Sequence, residues 1–448
     1  MLNDSADQNW DRYTDAVNAC QSLTAEGTVA KVIGLVVEGL GPGMSVGSAC
    51  TIQSADGEEV PAEVVGFKDS RVILMPYGEM RGISPGCKIT LVNERPYVPV
   101  GDAFLGRVIN GLGQPIDGRG AIPSNVHYPL YGKVVNPLDR RPIREVADVG
   151  IGAVNTLITV GKGQRVSIMS GSGVGKSVMM GMMARHTAMD VCVVALIGER
   201  GREVKEFIEQ NLGGGGLKKS IVVAATSDVS PLIRMRGAYL ATTIAEYFRD
   251  KGLDVLLVMD SITRFAMSCR DVGLAAGEPP TLRGYTPSFF VQLPKLLERV
   301  GTIEGKGSIT GIYTVLVEGD DMNDPVGDAV RATVDGHIVL SRKLANRGHY
   351  PAIDVLASVS RVMRDVVGPE HMKLSAKLID IVATYQDAED LIAIGAYVDG
   401  TDPKIDYAKS IIDKINDFLK QDISEKMSFE HGVNKLKGLI QGENHEEV

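Results

Sequence analysis

The pattern of this chain predicts an α/β core on a mainly parallel sheet, with a small all-β unit before it and a helical region after it. Three observations carry that expectation. From about Gly161 to Val367, short apolar runs alternate with helix-forming runs, the alternation that lays helices on both faces of a parallel sheet. From about Thr28 to Val92, short β-branched runs are punctuated by Gly and Pro at the spacing of a small barrel or sandwich. From about Met372 onward, apolar residues recur with helical period. A chain of 448 residues has room for roughly two to four such units.

The elements follow in order. In residues 1–24, Trp10, Tyr13, Val17 and Cys20 share one helical face, with Asp7, Asp11 and Asp15 off it. Such a helix either packs on its own domain or binds a partner, and its acidic face suits anionic lipid poorly. Residues 25–95 hold the strand-like runs Val29–Val37, Val60–Phe67 and Arg71–Leu74, with turn clusters at Gly39–Gly43, Asp56-Gly57 and Ser84–Gly86. A segment dense in Gly, Pro and Asp connects Pro96 to about Leu157. The expected sheet strands are Val166–Met169, Val191–Ile197, Ser220–Ala225, Val255–Met259, Ile309–Val317, Gly336–Leu340 and Ile353–Leu356. Gly213–Gly216 is expected to be a flexible loop without chemistry. Gly273–Ser288 holds too much Gly and Pro for a regular element, and a long irregular segment in a compact domain is usually functional or mobile. Beyond residue 367, Leu374, Leu378, Ile381 and Tyr385 fall on one face of a helix.

Bulk properties narrow the classes. Hydrophobic content of 44% with 23% charged residues is that of a globular protein. The longest apolar stretches fall far below the roughly 20 residues that span a bilayer, and the N-terminus has no signal-peptide pattern. Five cysteines, Cys20, Cys50, Cys87, Cys192 and Cys269, are scattered without metal spacing and fit a reducing compartment. A net charge of −9 argues against bulk affinity for nucleic acid.

The chemistry begins at Ser170-Gly171-Ser172-Gly173-Val174-Gly175-Lys176-Ser177, between a strand-like run and a helix-forming run. Glycines there let backbone N–H groups turn around an anion at a helix N-terminus. Lys176 is expected to reach the β- and γ-phosphates of a nucleotide, and the Ser177 hydroxyl to ligate Mg²⁺. The strict pattern has glycine where Ser170 stands. Ligands of a parallel sheet lie at the carboxyl ends of its strands. Gly198-Glu199-Arg200-Gly201-Arg202-Glu203 follows one strand, and a carboxylate there is placed to orient a water beside phosphate-facing arginines. Asp260 ends another strand, the expected place for an acidic partner of Mg²⁺. Arg264 either supports the site or pairs with a helix carboxylate.

Longer segments carry a resemblance. Pro351-Ala352-Ile353-Asp354-Val355-Leu356-Ala357-Ser358-Val359-Ser360 is similar to the signature of F-type and V-type ATPase α and β subunits and their secretion relatives. LIGERGREVKEFIE (196–209), AAGEPPTLRGYTPSFF (275–290) and YTVLVEGDDMNDPVGDAVRATVDGHIVLSR (313–342) resemble the export ATPases of flagellar and type III secretion systems. The resemblance spans roughly residues 28–420. It implies an N-terminal β-barrel (25–95), a RecA-like parallel-sheet ATPase domain (96–367) and a C-terminal helical domain (368–448) in a homohexamer with ATP at subunit interfaces. It makes residues 1–24 the docking helix for a regulator or stator-like protein. By the same resemblance, Gly171 to Ser177 bind nucleotide, Glu199 is the general base and Arg200 faces phosphate. Asp260 holds Mg²⁺ through water, Tyr350 stacks on adenine, and Arg361 is an arginine finger given to the neighbouring subunit. No second adenine-facing aromatic has a match, and Gln292 takes no role. The implied cofactors are ATP and Mg²⁺. The implied partners are a central coiled-coil stalk in the pore, touched by Gly273–Ser288, with chaperone–substrate complexes and a membrane export gate at the C-terminal face. The implied location is the cytoplasm, peripheral to the inner-membrane export apparatus. Two other readings are weaker. A non-catalytic, synthase-type ring subunit would lack the Glu199 carboxylate. An RNA-translocating ring would need a basic, aromatic barrel, and this one has only Phe67 and Tyr77.

Overall fold

The computed structural model describes residues 13, 26–41, 43–317 and 324–442. The helix expected over 1–24 lies outside them except for Tyr13, as do residues 318–323 of the 313–342 segment.

Two compact units appear. The first is a closed six-stranded barrel, β1 (Glu26–Ile33), β2 (Val36–Leu40), β3 (Ala49–Gln53), β4 (Glu59–Lys68), β5 (Arg71–Pro76) and β6 (Lys88–Asn93), in the order β1-β2-β5-β4-β3-β6. Closure decides between the barrel and the sandwich. Alternate residues of each strand point inward, so Val29, Val37, Ile52, Val64, Leu74 and Ile89 fill one core. The run Val29–Val37, expected as one strand, is a hairpin. Ile33 pairs with Val36, and Gly34, at φ +55°, supplies the left-handed turn between them.

The second unit comprises Tyr97–Leu274 and Glu278–Val448. Its first strands are β7 (Tyr97–Val100), β8 (Val108–Asn110) and β9 (Val126–Pro129), with β7 and β9 forming a separate antiparallel ribbon. The main sheet adds β10 (Arg165–Ser170), β11 (Val191–Ile197), β12 (Ser220–Ala225), β13 (Asp254–Asp260), β14 (Gly301–Thr302), β15 (Ser308–Leu316), β16 (Gly336–Leu340) and β17 (Ile353–Ser360). Its order is β17-β16-β10-β15-β13-β11-β12-β8, with β14 on the side of β15. Strands β8 to β16 on this path run parallel, and β17 returns antiparallel to β16. Every residue of β11 and β12 is buried, as a sheet covered on both faces requires. Strand β8 lies in the segment expected only to connect, too short to register as a periodic run.

The carboxyl ends of the parallel strands are aligned. Ser170 pairs with Leu316 and Leu340, and Leu196 with Asp260. The helices of this unit are α1 (Gly152–Leu157), which precedes β10, then α2 (Lys176–His186), α3 (Gly201–Glu206), α4 (Pro231–Asp250) and α5 (Ile262–Ala275). After them come α6 (Pro287–Leu297), α7 (Pro325–Thr333) and α8 (Arg342–Asn346). The expected irregular stretch Gly273–Ser288 is shorter than predicted, because α5 runs into it to Ala275 and α6 begins at Pro287. Gly213–Gly216 is not a free loop. The chain winds through a π-helical stretch, Phe207–Leu212, into a short helix, Gly213–Lys218. Arg185 donates to Gln210 O at 2.8 Å and Ser220 Oγ to Gly216 O at 2.7 Å, which satisfies carbonyls that a glycine run would otherwise leave to water.

The chain ends in α9 (Pro369–Ala393), α10 (Pro403–Leu419) and α11 (Phe429–Gln441). Proline opens the first two, and the Asp402 and Ser428 side chains accept from Lys404 N and His431 N at the starts of α10 and α11. Leu374, Leu378 and Ile381 are buried as expected, and Tyr385 packs partly buried beside them. This bundle grips α1. Ser375 Oγ donates to Thr156 O at 2.7 Å, and Gln421 bonds both Gly150 O and Gly152 N at 2.8 Å. Among the described residues no helix is long and apolar enough to cross a membrane.

Candidate active site at the carboxyl edge of the sheet

Ser170 is the last residue of β10, and Gly171–Gly175 form the turn into α2. Gly173 and Gly175 stand at φ +78° and +92°, where a side chain strains the backbone. Ser170 is extended and paired on both sides, so the absent glycine costs the turn nothing. Val174 is 1% exposed and anchors the turn in the core, leaving Ser172 and Gly173 outward. The N-terminus of α2, an 11-residue helix, therefore opens onto a cleft of ≈ 460 Å³ lined by Gly171, Lys176, Ser177, Glu199, Arg200 and Arg264.

The charged groups of that cleft meet. Lys176 pairs with Asp260 Oδ1 and lies 4.0 Å from Glu199 Oε1. Asp260, 2% exposed, also accepts from Thr314 Oγ1 at 2.6 Å. Glu199 follows β11 through Gly198, whose φ is +73° and whose Cβ would stand 2.8 Å from Arg264 Cβ. Only glycine lets the strand end and α5 approach this closely. Burial raises the Glu199 carboxyl to about 7, and the Asp260 charge adds to that against the pull of Lys176. Its neighbour Glu203 shares a hydrogen bond with Glu199 and is held below the ordinary carboxylate range by it. Of the two, Glu199 is the carboxyl that holds its proton more tightly.

Arg200 is exposed and lies 3.5 Å from Glu203. Arg264 lines the cleft, and its Nε is buried without a hydrogen-bond partner. Tyr350, 47% exposed, places its ring where a Cβ on Gly175 would meet it at 3.4 Å. For Mg²⁺ the structure offers hard oxygen donors, the Ser177 hydroxyl and the Asp260 carboxylate, and among the described residues no cluster of three ligating side chains. Such a sparse set fits Mg²⁺, which is usually held by one or two carboxylates, phosphate and water.

Arg361 is not brought to this cleft. Its N donates to Asp335 O, and Asp335 N donates to Arg165 O, the first residue of β10. The glycine turn lies beyond the last residue of that strand, about 17 Å away at ~3.3 Å per residue. No arginine side chain spans that distance along the sheet.

Three family models match in series. The nucleotide-binding domain of the ATP synthase alpha/beta family matches residues 150–360, its beta-barrel domain matches 29–92, and the C-terminal domain of the type III secretion ATPase EscN matches 367–438. The chain belongs to the flagellar and type III secretion ATPases of the ATP synthase α/β family. It is 49% identical to the flagellum-specific ATP synthase of Pseudomonas aeruginosa, with 96% of each chain covered. To that of Bacillus subtilis it is also 49% identical, over 96% of this chain and 98% of the relative. It is 47% identical to the type 3 secretion system ATPase of Xanthomonas euvesicatoria, over 92% and 93%. The structure of the assembled ATPase EscN of enteropathogenic E. coli superposes with a TM-score of 0.87 at 43% identity, covering 92% of this chain and 100% of that one. EscN in complex with its central stalk EscO gives 0.85 at 42%.

Within this family fold, two groups at the cleft escaped sequence reasoning. Thr314 is one of several threonines in apolar β15, and nothing in its surroundings there separates it from core. Ile423, 47% exposed, lies in a connection after α10 and lines a second cleft beside Ser177 and Asp260. Its signal is absent because no periodic element contains it.

Proposed function

We propose that this chain is the ATPase of a flagellar or type III protein export apparatus, hydrolysing ATP at interfaces between its own copies. The observation that carries the chemistry is the contact of Lys176, Asp260 and Glu199 at the mouth of the glycine turn. In this reading the N–H groups of Gly171–Gly175 and the start of α2 cradle the phosphates. Lys176 leaves Asp260 for the β- and γ-phosphate oxygens. Ser177 and Asp260 would hold Mg²⁺, which when bound would supply positive charge against the phosphate oxygens. Glu199 orients a water and takes its proton as the water oxygen bonds to the γ-phosphorus and the bond to ADP breaks. Arg200 and Arg264 face the phosphates, and Tyr350 stacks on adenine.

Arg361 completes the site of the next copy. A residue about 17 Å from its own glycine turn and exposed at the far edge of the sheet serves only in trans. The ring is a homohexamer, and a heterologous contact of this kind closes into a ring. Since the relative EscN assembles and forms a complex with a central stalk, the same partner class is proposed here, with Gly273–Ser288 facing it. Chaperone-bound cargo and the membrane export gate meet the C-terminal helices, a regulator meets the N-terminus, and the ring works in the cytoplasm against the inner-membrane apparatus. Turnover per subunit measured against protein concentration tests this. It should climb steeply as copies assemble, and a rate per subunit independent of concentration down to the monomer would refute catalysis at shared interfaces.

A further inference from the structure

Tyr350 lies in the connection between α8 and β17, and that connection is held from the C-terminal helices. Arg347 N and His349 N both donate to Leu344 O, at 3.0 and 3.1 Å, and Gly348 N to Ala345 O at 3.0 Å, so residues 347–349 continue the winding of α8. Glu389 of α9 accepts from Lys343 and lies 2.7 Å from Arg347 as well. Gln421 N, beyond α10, donates to Tyr350 O at 3.0 Å. Beneath this connection is a cavity of ≈ 120 Å³. His349, 5% exposed and with no hydrogen-bond partner at Nε2, lines it together with Val382, Tyr385, Ile412 and Leu419 of the helices.

We propose that Glu389 is a positioning residue for the adenine subsite: by gripping Lys343 and Arg347 it holds the α8–β17 connection, and with it the Tyr350 ring, against the glycine turn. This rests on the reading that Tyr350 faces adenine. A connection that follows a helix of only five residues has little rigidity of its own, and the cavity below it removes packing that would otherwise fix it. The carboxylate supplies what packing does not. It is one-fifth exposed and its cationic partners are more than half exposed. Ion pairs of that exposure are weak, so the grip breaks readily when the helices shift. The helical domain thereby sets how firmly the base is held while leaving the phosphate end untouched.

The test compares ADP with pyrophosphate, both with Mg²⁺, binding to the full chain by calorimetry in the parent, Glu389→Gln, Tyr350→Ala and the double variant. Glu389→Gln should weaken ADP about two- to fivefold and leave pyrophosphate unchanged, with an unaltered melting temperature. In the Tyr350→Ala background it should add no further loss. An equal fall for both ligands, no fall for ADP, or a full further loss without the Tyr350 ring each overturns the proposal. If Tyr350→Ala itself leaves the ADP-to-pyrophosphate ratio unchanged, the adenine reading falls and the proposal with it. If Tyr350→Ala changes the ratio and Glu389→Gln does not, the proposal alone falls.

Discussion

The two ends of the central sheet are built differently. At the carboxyl ends of β10, β11 and β13, Lys176 pairs with Asp260 and lies 4.0 Å from Glu199, whose carboxyl is raised by burial and by the Asp260 charge. At the opposite edge, Arg361 follows β17 exposed, and among the described residues no carboxylate pairs with it, while Arg165 close by is tied to Glu298 and Asp335. One end is organised within a single chain; the other presents an exposed cation that, among the described residues, has no carboxylate to act on. On the proposed reading, half of the site is folded into each copy and the other half is offered outward.

The largest effect should come from breaking the offered half. Arg361→Ala should lower kcat about 10³–10⁵-fold, with ADP affinity little changed by calorimetry. Mixing it with Glu199→Gln should restore activity at interfaces that combine an intact Arg361 with an intact Glu199, and mixtures as inactive as either variant alone would remove the trans assignment. Damage to the organised half comes next. Glu199→Gln should cost about 10²–10⁴-fold in turnover while ATP still binds. The pH profile reports the same group. Only the ionised carboxylate takes a proton, and burial with the Asp260 charge favours the neutral acid up to about 7. So kcat/KM should rise about tenfold per pH unit below that value and level above it; a profile flat from pH 5 to 8 would contradict the assignment. Gly198→Ala forces a Cβ to within 2.8 Å of Arg264 Cβ at a left-handed φ. A loss of about 1–3 kcal/mol in unfolding free energy is expected, read by denaturant titration. Ser170→Gly, which restores the strict glycine pattern, should be smallest. It should cost about 0.5–1 kcal/mol as a glycine in a strand and leave nucleotide affinity where it was.

Much of this was legible in the residues themselves. Val191–Ile197 and Ser220–Ala225 were legible to the residue because a strand buried on both faces is a run of apolar side chains with polar ends, and Gly336–Leu340 because its buried and half-buried residues alternate. The glycine turn was legible because φ > 0 leaves a mark in composition. What stayed hidden depends on contacts distant in sequence. β8 is three residues that pair only because β12 lies beside them, Thr314 matters only where β15 brings it to Asp260, and the helical Gly213–Gly216 is met by Ser220 at Gly216 O and preceded by a turn that Arg185 holds at Gln210 O. The position of Arg361 was beyond sequence reasoning too. A motif says that an arginine follows a strand, whereas the antiparallel turn of β17 decides which end of the sheet it reaches.

The closed barrel carries a consequence for how copies can touch. A sheet with a free edge invites another chain to extend its ladder, and such additions are hard to limit to a fixed number. Here β1 is bonded to both β2 and β6, so the main-chain groups of the circle are spent on one another. Whatever the barrel meets, it meets with side chains, and Ile33 and Leu35 at its first hairpin are exposed for such an encounter. Neighbours recognised by side chains alone can be fitted, counted and released, which main-chain splicing into a shared sheet would not allow.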